Sequence, residues 1–387
     1  MNLAKFLSLD DFEIAARRHL PGPIFAYVSG GVEENLSRDD NRAAFGEIGF
    51  VPRVLVGTSK RTMQTELFGQ AYAAPFGIAP MGFSALSAYR GDLVQARAAQ
   101  AANIPMVMSG TSLIRLEEVG AACPGTWFQA YLPGEPERIR KLIDRVAAAG
   151  FKTLVVTVDV SVLSNRENNV RAGFSSPLRP SLRLAWQGIT HPRWSIGTFL
   201  RTLVRHGMPH FENSYAERGV PVIARNIERD LSMRDHLDWS HLQAIRKQWS
   251  GRLVIKGVMI PEDAKRAHGI GADGIIVSNH GGRQLDGTVS PLRVLPAIVP
   301  AAGGMTVMMD SGIRRGTDVL KALALGAQFV FVGRPFNYAA SVAGEAGVAH
   351  AIAILQGEVY RNLSLIGVNA IAELGPHLIK RMGSGAK

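Results

Sequence analysis

The chain has 387 residues, 47% of them hydrophobic and 19% charged, with a formal net charge of +11. That apolar share suits a large core and excludes a disordered chain, and the length suits two ordinary domains or one α/β barrel. A single cysteine, Cys123, excludes an internal disulfide and any cysteine-rich metal site, and fits a reducing compartment.

The first nineteen residues carry Asp10, Asp11 and Glu13 and no long apolar core, so they read as neither a signal peptide nor a membrane anchor. No apolar run is expected to reach spanning length. Residues 76–80 read as a buried strand, followed by a helical stretch over 91–102. Residues 105–109 form the next strand, with a short helix near Leu116. A third strand over 126–131 precedes a strong helix over 135–149. The fourth, 153–158, is nearly all β-branched or apolar. After a long interruption come a fifth over 253–257, with a helix begun by Pro261, a sixth over 274–278, a seventh over 306–310 and an eighth over 328–333. A helix over 316–325 joins the last two.

Eight short apolar runs alternating with helices predict a parallel sheet, and eight is the number that closes into a (β/α)8 TIM barrel. An open doubly wound sheet normally carries a glycine-rich phosphate turn after its first strand. Here that strand ends Ala79-Pro80-Met81-Gly82-Phe83, without the fingerprint. The expected fold is therefore α/β, a TIM barrel with a long insertion between strands four and five.

A barrel places its chemistry at the C-terminal ends of its strands. Gln129 and Tyr131 end strand three, Thr157 and Asp159 strand four, and Lys256 strand five. Ser278, His280 and Arg283 end or follow strand six, Asp310 ends strand seven, and Gly333 and Arg334 end strand eight. The run Ser278-Asn279-His280-Gly281-Gly282-Arg283-Gln284-Leu285-Asp286 carries the most chemistry. The His can move a proton, the Arg can grip a carboxylate bidentately, and the glycines admit a close ligand. The plain alternative is a polar loop with solvated side chains. Asp159 beside His280 would hold the imidazole tautomer; taken alone it reads better as a cap for a following helix. Lys256 follows three apolar residues and is expected to point out of the barrel mouth, as a snorkelling lysine, a fixed charge near an electron-accepting ring, or a Schiff-base lysine. Residues 310–316, with Gly333-Arg334-Pro335, suit a phosphate bound after strands seven and eight. His206 and His210 have helical metal-ligand spacing, but Gly207 and Pro209 interrupt the helix, and no metal site is read.

The insertion carries the charge asymmetry. Val170 to Phe211 contains no Asp or Glu but holds Arg171, Arg179, Arg183, Arg193, Arg201 and Arg205. Ile196, Phe199, Leu200, Leu203 and Val204 fall on one helical face, with Trp186 and Trp194 flanking. This suits an anionic membrane surface, or else a helix packed on the barrel or on a neighbouring subunit. Nucleic acid is not expected, because the arginines lie in an apolar amphipathic segment without stacking platforms.

Taken together, these motifs resemble the FMN-dependent α-hydroxy acid dehydrogenases and oxidases, whose members act on lactate, glycolate or mandelate. The likeness runs from about Tyr27 to about Glu373. It is carried by 278–286, by 310–316 with Gly333-Arg334-Pro335, by Thr157-Val158-Asp159 and by Gln129-Ala130-Tyr131. It implies FMN as cofactor, His280 as catalytic base and Asp159 as stabiliser of its imidazolium. Arg166 and Arg283 would hold the substrate carboxylate, helped by Tyr27, while Tyr131 would hydrogen-bond the substrate hydroxyl or the developing keto oxygen. Lys256 would sit near the flavin N1–C2 oxygen region. Pro80, Met81, Gly82, Ser109, Gln129, Thr157 and Ser278 would line the flavin. Asp310, with Ser311 beside it, would meet the ribityl chain, and Gly312, Arg314, Gly333 and Arg334 the phosphate. The resemblance also implies one domain over the whole chain, with a barrel over about 70–370, an insertion over about 171–230, and a homotetramer.

Residues 190–195 and 204–209 resemble the membrane-binding segment of the mandelate dehydrogenase branch, which passes electrons to quinone. Gly82 agrees, since many oxygen-using members carry alanine there. Thr111 stands where the glycolate-oxidising branch has tryptophan, leaving room for a larger substrate side chain. No haem module precedes the barrel, so a flavocytochrome is not expected. The resemblance thus implies oxidation of a mandelate-like (S)-2-hydroxy acid or lactate, with electrons passed to a quinone on the cytoplasmic side of a bacterial inner membrane. The rival is an oxidase that makes hydrogen peroxide. A non-catalytic barrel is disfavoured by the complete set of base, acid and carboxylate-binding groups.

Overall fold

The computed structural model describes residues 2–224 and 234–382. Eight parallel strands form its centre: β1 (Phe76–Ile78), β2 (Val107–Ser109), β3 (Trp127–Tyr131), β4 (Thr153–Thr157), β5 (Arg252–Val258), β6 (Gly274–Val277), β7 (Thr306–Met309) and β8 (Phe329–Val332). They hydrogen-bond in the order β1-β8-β7-β6-β5-β4-β3-β2. The remaining gap is closed by a parallel bridge between Ile78 and Met106, where the Ile78 N–H donates to Pro105 O at 2.9 Å. The sheet is therefore the expected (β/α)8 barrel. Strands β1, β4, β6, β7 and β8 stop one or two residues short of their apolar runs, so Ser278, Asp310 and Gly333 belong to the loops, whereas β2 and β3 end where expected and β5 runs on to Val258.

Alternation along each strand decides what faces inward. Val107, Trp127, Val155, Val254, Ile276, Met308, Phe329 and Phe331 fill the barrel interior. Their neighbours Phe128, Leu154, Val156, Ile275, Val277 and Val330 pack outward under the helices. Two residues further on, the same inward positions become Ser109, Gln129, Thr157, Lys256, Ser278 and Asp310. The barrel is thus apolar below and polar at its C-terminal rim. A hairpin of Thr65–Leu67 and Gln70–Tyr72 plugs the lower end, where Phe68 lies against Trp127 at 5.6 Å between ring centroids.

The outer helices follow from apolar spacing. Pro136–Ala148 starts with proline at its first turn and buries Ile139, Leu142, Ile143 and Val146, one stripe at helical spacing. Each such side chain contributes roughly 1.5–3 kcal/mol on burial. Against the expectation that no segment would reach spanning length, Arg334–Ile366 is long and apolar enough by length and composition. It is broken at Ala343–Gly344, and it buries Phe336, Tyr338, Ile352, Leu355 and Val359. Leu9–His19 and Gly91–Ala101 pack on it, as on a core helix.

The insertion leaves after β4 and returns before β5; its expected span over 171–230 runs past residue 224, so its last part lies outside the described residues. It holds helices Glu167–Ala172, Leu182–Thr190, Pro192–Trp194 and Arg201–His206, with a π-bonded stretch Ser195–Leu200 between the last two. The expected single apolar face is not kept, because π bonding changes the angle between successive side chains. Ile196, Leu200 and Val204 are exposed, while Phe199 turns inward and stacks on Trp194 at 5.7 Å. Trp194 itself is buried and its Nε1 donates to Leu86 O at 2.8 Å. The preceding helix adds Leu182, Trp186 and Ile189, an exposed i, i+4, i+7 stripe. Arg201 lies over the Tyr89 ring at 3.9 Å and anchors the segment to the barrel.

Candidate active site

The strand ends and the loops after them enclose one cavity of about 490 Å³. Its lining runs from Tyr131, Arg166 and His280 on one side to Arg314, Gly333 and Arg334 on the other.

The loop after β6 presents His280. Its backbone sits in the left-handed region at φ 58°, which histidine tolerates better than most side chains. Ser278 Oγ accepts the His280 N–H at 3.0 Å and a hydrogen bond from Lys256 Nζ at 2.6 Å. His280 Nδ1 lies 2.9 Å from Asp159 Oδ1. The carboxylate can only accept, so Nδ1 carries the proton and Nε2 keeps its lone pair. Tyr131 Oη, 3.2 Å from Nε2, donates to it. Asp159 is therefore a partner of His280, not a helix cap. Gly257, at φ 110° in a bulge of β5, makes room for it, since a Cβ there would lie 2.8 Å from Asp159 Cβ.

The charges agree with this assignment. Burial pulls His280 below its ordinary value, with Asp159 opposing and Lys256 and Arg166 assisting. Burial would raise Asp159, but the His280 charge and hydrogen bond, with Lys256, hold it below the usual carboxylate range. The resting pair is neutral imidazole and ionised carboxylate. Burial, then the Asp159 charge, raises the Tyr131 phenol, so it stays protonated.

Lys256 does not leave the barrel mouth. Its side chain is 5% exposed and its Nζ lies 2.9 Å from Asp310 Oδ2. Asp310 Oδ1 accepts from Ser311 Oγ at 2.9 Å, and Ser311 Oγ accepts the Gly281 N–H at 3.0 Å, tying the loops after β6 and β7 together.

Six arginines line the same cavity, among them Arg166, Arg283, Arg314 and Arg334. Arg166 donates to Ser164 Oγ, Arg283 O and Gln284 Oε1. Arg283 Nη1 donates to Gly30 O at 2.7 Å, and its guanidinium lies 4.9 Å from the Tyr27 ring centroid. Arg334 donates to Val28 O, Gly30 O and Gly281 O. Among the described residues, no carboxylate comes within 4 Å of these three, and Arg314 has only Asp10 at 3.9 Å. Burial pulls Arg283 down to about 9 and Arg334 to about 10. Buried or half-buried cations held by neutral acceptors, with no carboxylate close by to neutralise them, are sites for anions. Here there are two: Arg166 with Arg283 beside His280, and Arg314 with Arg334 at the far end.

Between them stand buried polar atoms without partners: Gln129 Nε2, Thr157 Oγ1 and Arg314 Nε. Pro80, Met81, Gly82, Thr157, Lys256, Gly312 and Gly333 line the same space. Ser109, Gln129, Ser278 and Asp159 stand just behind the lining and hold it. A flat heteroaromatic ring bearing a phosphate tail would use both the orphaned donors and the far arginines. Every expected site residue is at this cavity or directly behind it.

Sequence reading missed Arg234, whose guanidinium lies 5.7 Å from the Tyr131 ring centroid, and Phe174, stacked on Tyr27 at 4.6 Å. Both come from the insertion, where no local motif marks them. Gln284, by contrast, stood within the loop motif. His206 pairs with Tyr89 Oη and His210 with Met208 O, and among the described residues no group of three or more metal-ligating side chains gathers.

The family model for FMN-dependent dehydrogenase matches residues 16–381. An L-lactate dehydrogenase of Yersinia pestis (strain Pestoides F) is 40% identical over 375 residues, 94% of this chain and 95% of that protein. The crystal structure of a monotopic membrane protein, (S)-mandelate dehydrogenase, superposes with a TM-score of 0.87 at 34% identity, covering 97% of this chain and 99% of that one. A mandelate oxidase R163L variant with 2-hydroxy-phenylacetamide superposes with a TM-score of 0.80 at 33% identity, covering 97% and 98%.

Proposed function

The chain belongs to the FMN-dependent dehydrogenases, oxidoreductases acting on CH–OH donors, and from that footing we propose that it oxidises a bulky (S)-2-hydroxy acid to the 2-keto acid and passes the electrons to a membrane quinone. The observation that carries this is His280, held at Nδ1 by Asp159 and facing two arginines that lack carboxylate partners.

The residues present fit FMN. Gln129 and Thr157 would meet its ring with their free polar atoms, Lys256 would supply positive charge at the ring edge, and Asp310 would meet the ribityl chain. Arg314, Arg334, Gly312 and Gly333 would hold the phosphate. Bound flavin supplies a sink for two electrons. Arg166 and Arg283 grip the substrate carboxylate, and Tyr27 lies against Arg283. His280 Nε2 then takes a proton from the substrate, and Asp159 stabilises the imidazolium that results. Tyr131 Oη, freed from Nε2, donates to the oxygen at the reacting carbon.

Thr111, Phe174, Val160, Leu163 and Val170 line the cavity. That wall favours an aryl or branched side chain, as in mandelate, over glycolate; lactate is admitted as well. The exposed Leu182, Trp186, Ile189, Ile196, Leu200 and Val204, among arginines and without acids, support a peripheral site on an anionic membrane surface. On the inner face of a bacterial membrane the quinone pool lies within reach. A homotetramer would add avidity by presenting several such surfaces together, with each chain acting as one catalytic unit.

The test is an anaerobic rapid-mixing titration of the yellow protein with (S)-mandelate and L-lactate, followed by oxygen or a soluble quinone. Fast bleaching by mandelate, slow reoxidation by oxygen and fast reoxidation by quinone are expected. Fast reoxidation by oxygen would instead make it a peroxide-forming oxidase. His280→Ala should keep FMN and lose bleaching; normal bleaching would remove His280 from its role.

A further inference from the structure

A chain of side chains runs from the substrate side of the cavity to Gln129, and its proton directions can be read. The Gly110 N–H donates to Gln129 Oε1 at 3.3 Å, which fixes that atom as the acceptor and Nε2 as the outward donor. Ser109 Oγ also donates to Gln129 Oε1, at 3.3 Å, and so spends its only proton. The remaining contact, Ser109 Oγ to Thr111 Oγ1 at 3.0 Å, must therefore be donated by Thr111. The Thr111 N–H reaches the same oxygen at 3.2 Å. Thr111 thus holds Ser109, Ser109 holds the Gln129 carbonyl, and Gln129 Nε2 is left buried and without a partner.

The other side of Thr111 is crowded. A Cβ built on Gly82 would lie 2.3 Å from Thr111 Oγ1 and 2.8 Å from Tyr27 Oη. The first distance is too short for any side chain, and a threonine hydroxyl can escape only by rotating away from Ser109. The backbone conformation of Gly82 is no obstacle, since its φ is not positive. The requirement for glycine there comes from its neighbours.

We propose that Thr111 is a positioning residue, which orients the Gln129 amide toward the flavin through Ser109 and makes glycine obligatory at position 82. The proposal rests on the reading that Gln129 meets the flavin ring. A methyl group at position 82 would then act on the flavin indirectly, by displacing the Thr111 hydroxyl and releasing Gln129. It follows that alanine at 82 is tolerated only when position 111 lacks a branched hydroxyl.

The experiment measures FMN dissociation, the visible spectrum of bound FMN and its midpoint potential in T111V, T111S, T111A, G82A, G82A/T111A, G82A/Y27F and Q129A. T111V keeps the shape and loses the donor, so FMN should bind roughly three- to tenfold more weakly with a shifted spectrum, while T111S restores both. G82A should weaken FMN roughly tenfold or more, and the same change in the T111A background should cost less than about threefold. A purely structural role for Thr111 would lower the melting temperature without moving the spectrum or potential of bound FMN, and that result overturns the proposal. Equal effects of G82A with and without T111A, or relief by Y27F instead, overturn the coupling. A shifted spectrum in Q129A with none in T111V refutes the relay alone. An unshifted Q129A refutes the placement of the flavin and the relay with it.

Discussion

Replacing Asp159 by asparagine isolates what the carboxylate does for His280. The amide keeps the shape and an acceptor for the Nδ1 proton but removes the charge. When Nε2 accepts a proton, the imidazolium stands beside Asp159, with Nδ1 and Oδ1 2.9 Å apart. Two charges centred about 4 Å apart interact by about 4 kcal/mol at an effective dielectric of about 20. At about 1.4 kcal/mol per factor of ten, the loss corresponds to a roughly 10³-fold slower proton transfer. A second readout follows from the same geometry. Burial, Lys256 and Arg166 all press His280 downward, and only Asp159 opposes them. Without that charge the acid limb of the pH profile should move to lower pH. The assay is anaerobic rapid mixing with substrate over a pH series, with the spectrum of bound FMN as a control on folding. Bleaching within tenfold of the parent, with an unmoved acid limb, would refute the assignment of Asp159.

In the parent enzyme kcat/KM should rise as His280 loses its proton, with a midpoint below the ordinary 6.5 and a plateau above it; a midpoint above 7 would contradict a neutral resting imidazole. Asp92 is wholly buried, and burial pushes it up from 3.8 to about 7 against the smaller opposing pull of Ser112, the nearby backbone N–H groups and the Arg90 charge. Its folded form holds the proton more tightly than the unfolded chain, so stability should fall as pH rises from about 4 to about 7, by about 4 kcal/mol at most. Asp92→Asn should remove that slope and raise the melting temperature at pH 8; an unchanged difference between pH 5 and pH 8 would count against it. Changing Trp186 and Leu200 together to serine should weaken sedimentation with anionic vesicles by roughly tenfold or more, with anaerobic bleaching by substrate unchanged; unchanged vesicle binding would leave the exposed stripe to another partner.

The barrel was legible because its strands are short apolar runs at regular spacing, and the site was legible because strand ends are where barrels keep their chemistry. Lys256 shows a signal that was present and not used. Counting two residues from the inward Val254 already places it inside the barrel, next to Ser278 and Asp310. The split between Ile196 and Phe199 could not be read, since an ideal helical period does not reveal a π-bonded stretch. Arg234 and Phe174 were invisible for a different reason. They reach the cavity through the path of the insertion, which carries no local pattern. The long helix Arg334–Ile366 passes a test of composition that its packing against Leu9–His19 and Gly91–Ala101 overrides.

The barrel is joined unevenly around its circumference. Every other neighbouring pair of strands is joined through at least two residues, but β1 and β2 meet at the single bridge between Ile78 and Met106. The loops leaving that weak joint carry Pro80, Met81 and Gly82 on one side and Ser109, Gly110 and Thr111 on the other. A cofactor that touches both would work as a clasp across it. Binding at a thousandfold excess over the dissociation constant would add about 4 kcal/mol to the closed form. The chain closes all eight joints with its own hydrogen bonds, the last through a single bridge, and bound flavin would reinforce that one. Flavin supply would thereby govern how long the protein survives proteases as well as how fast it turns over.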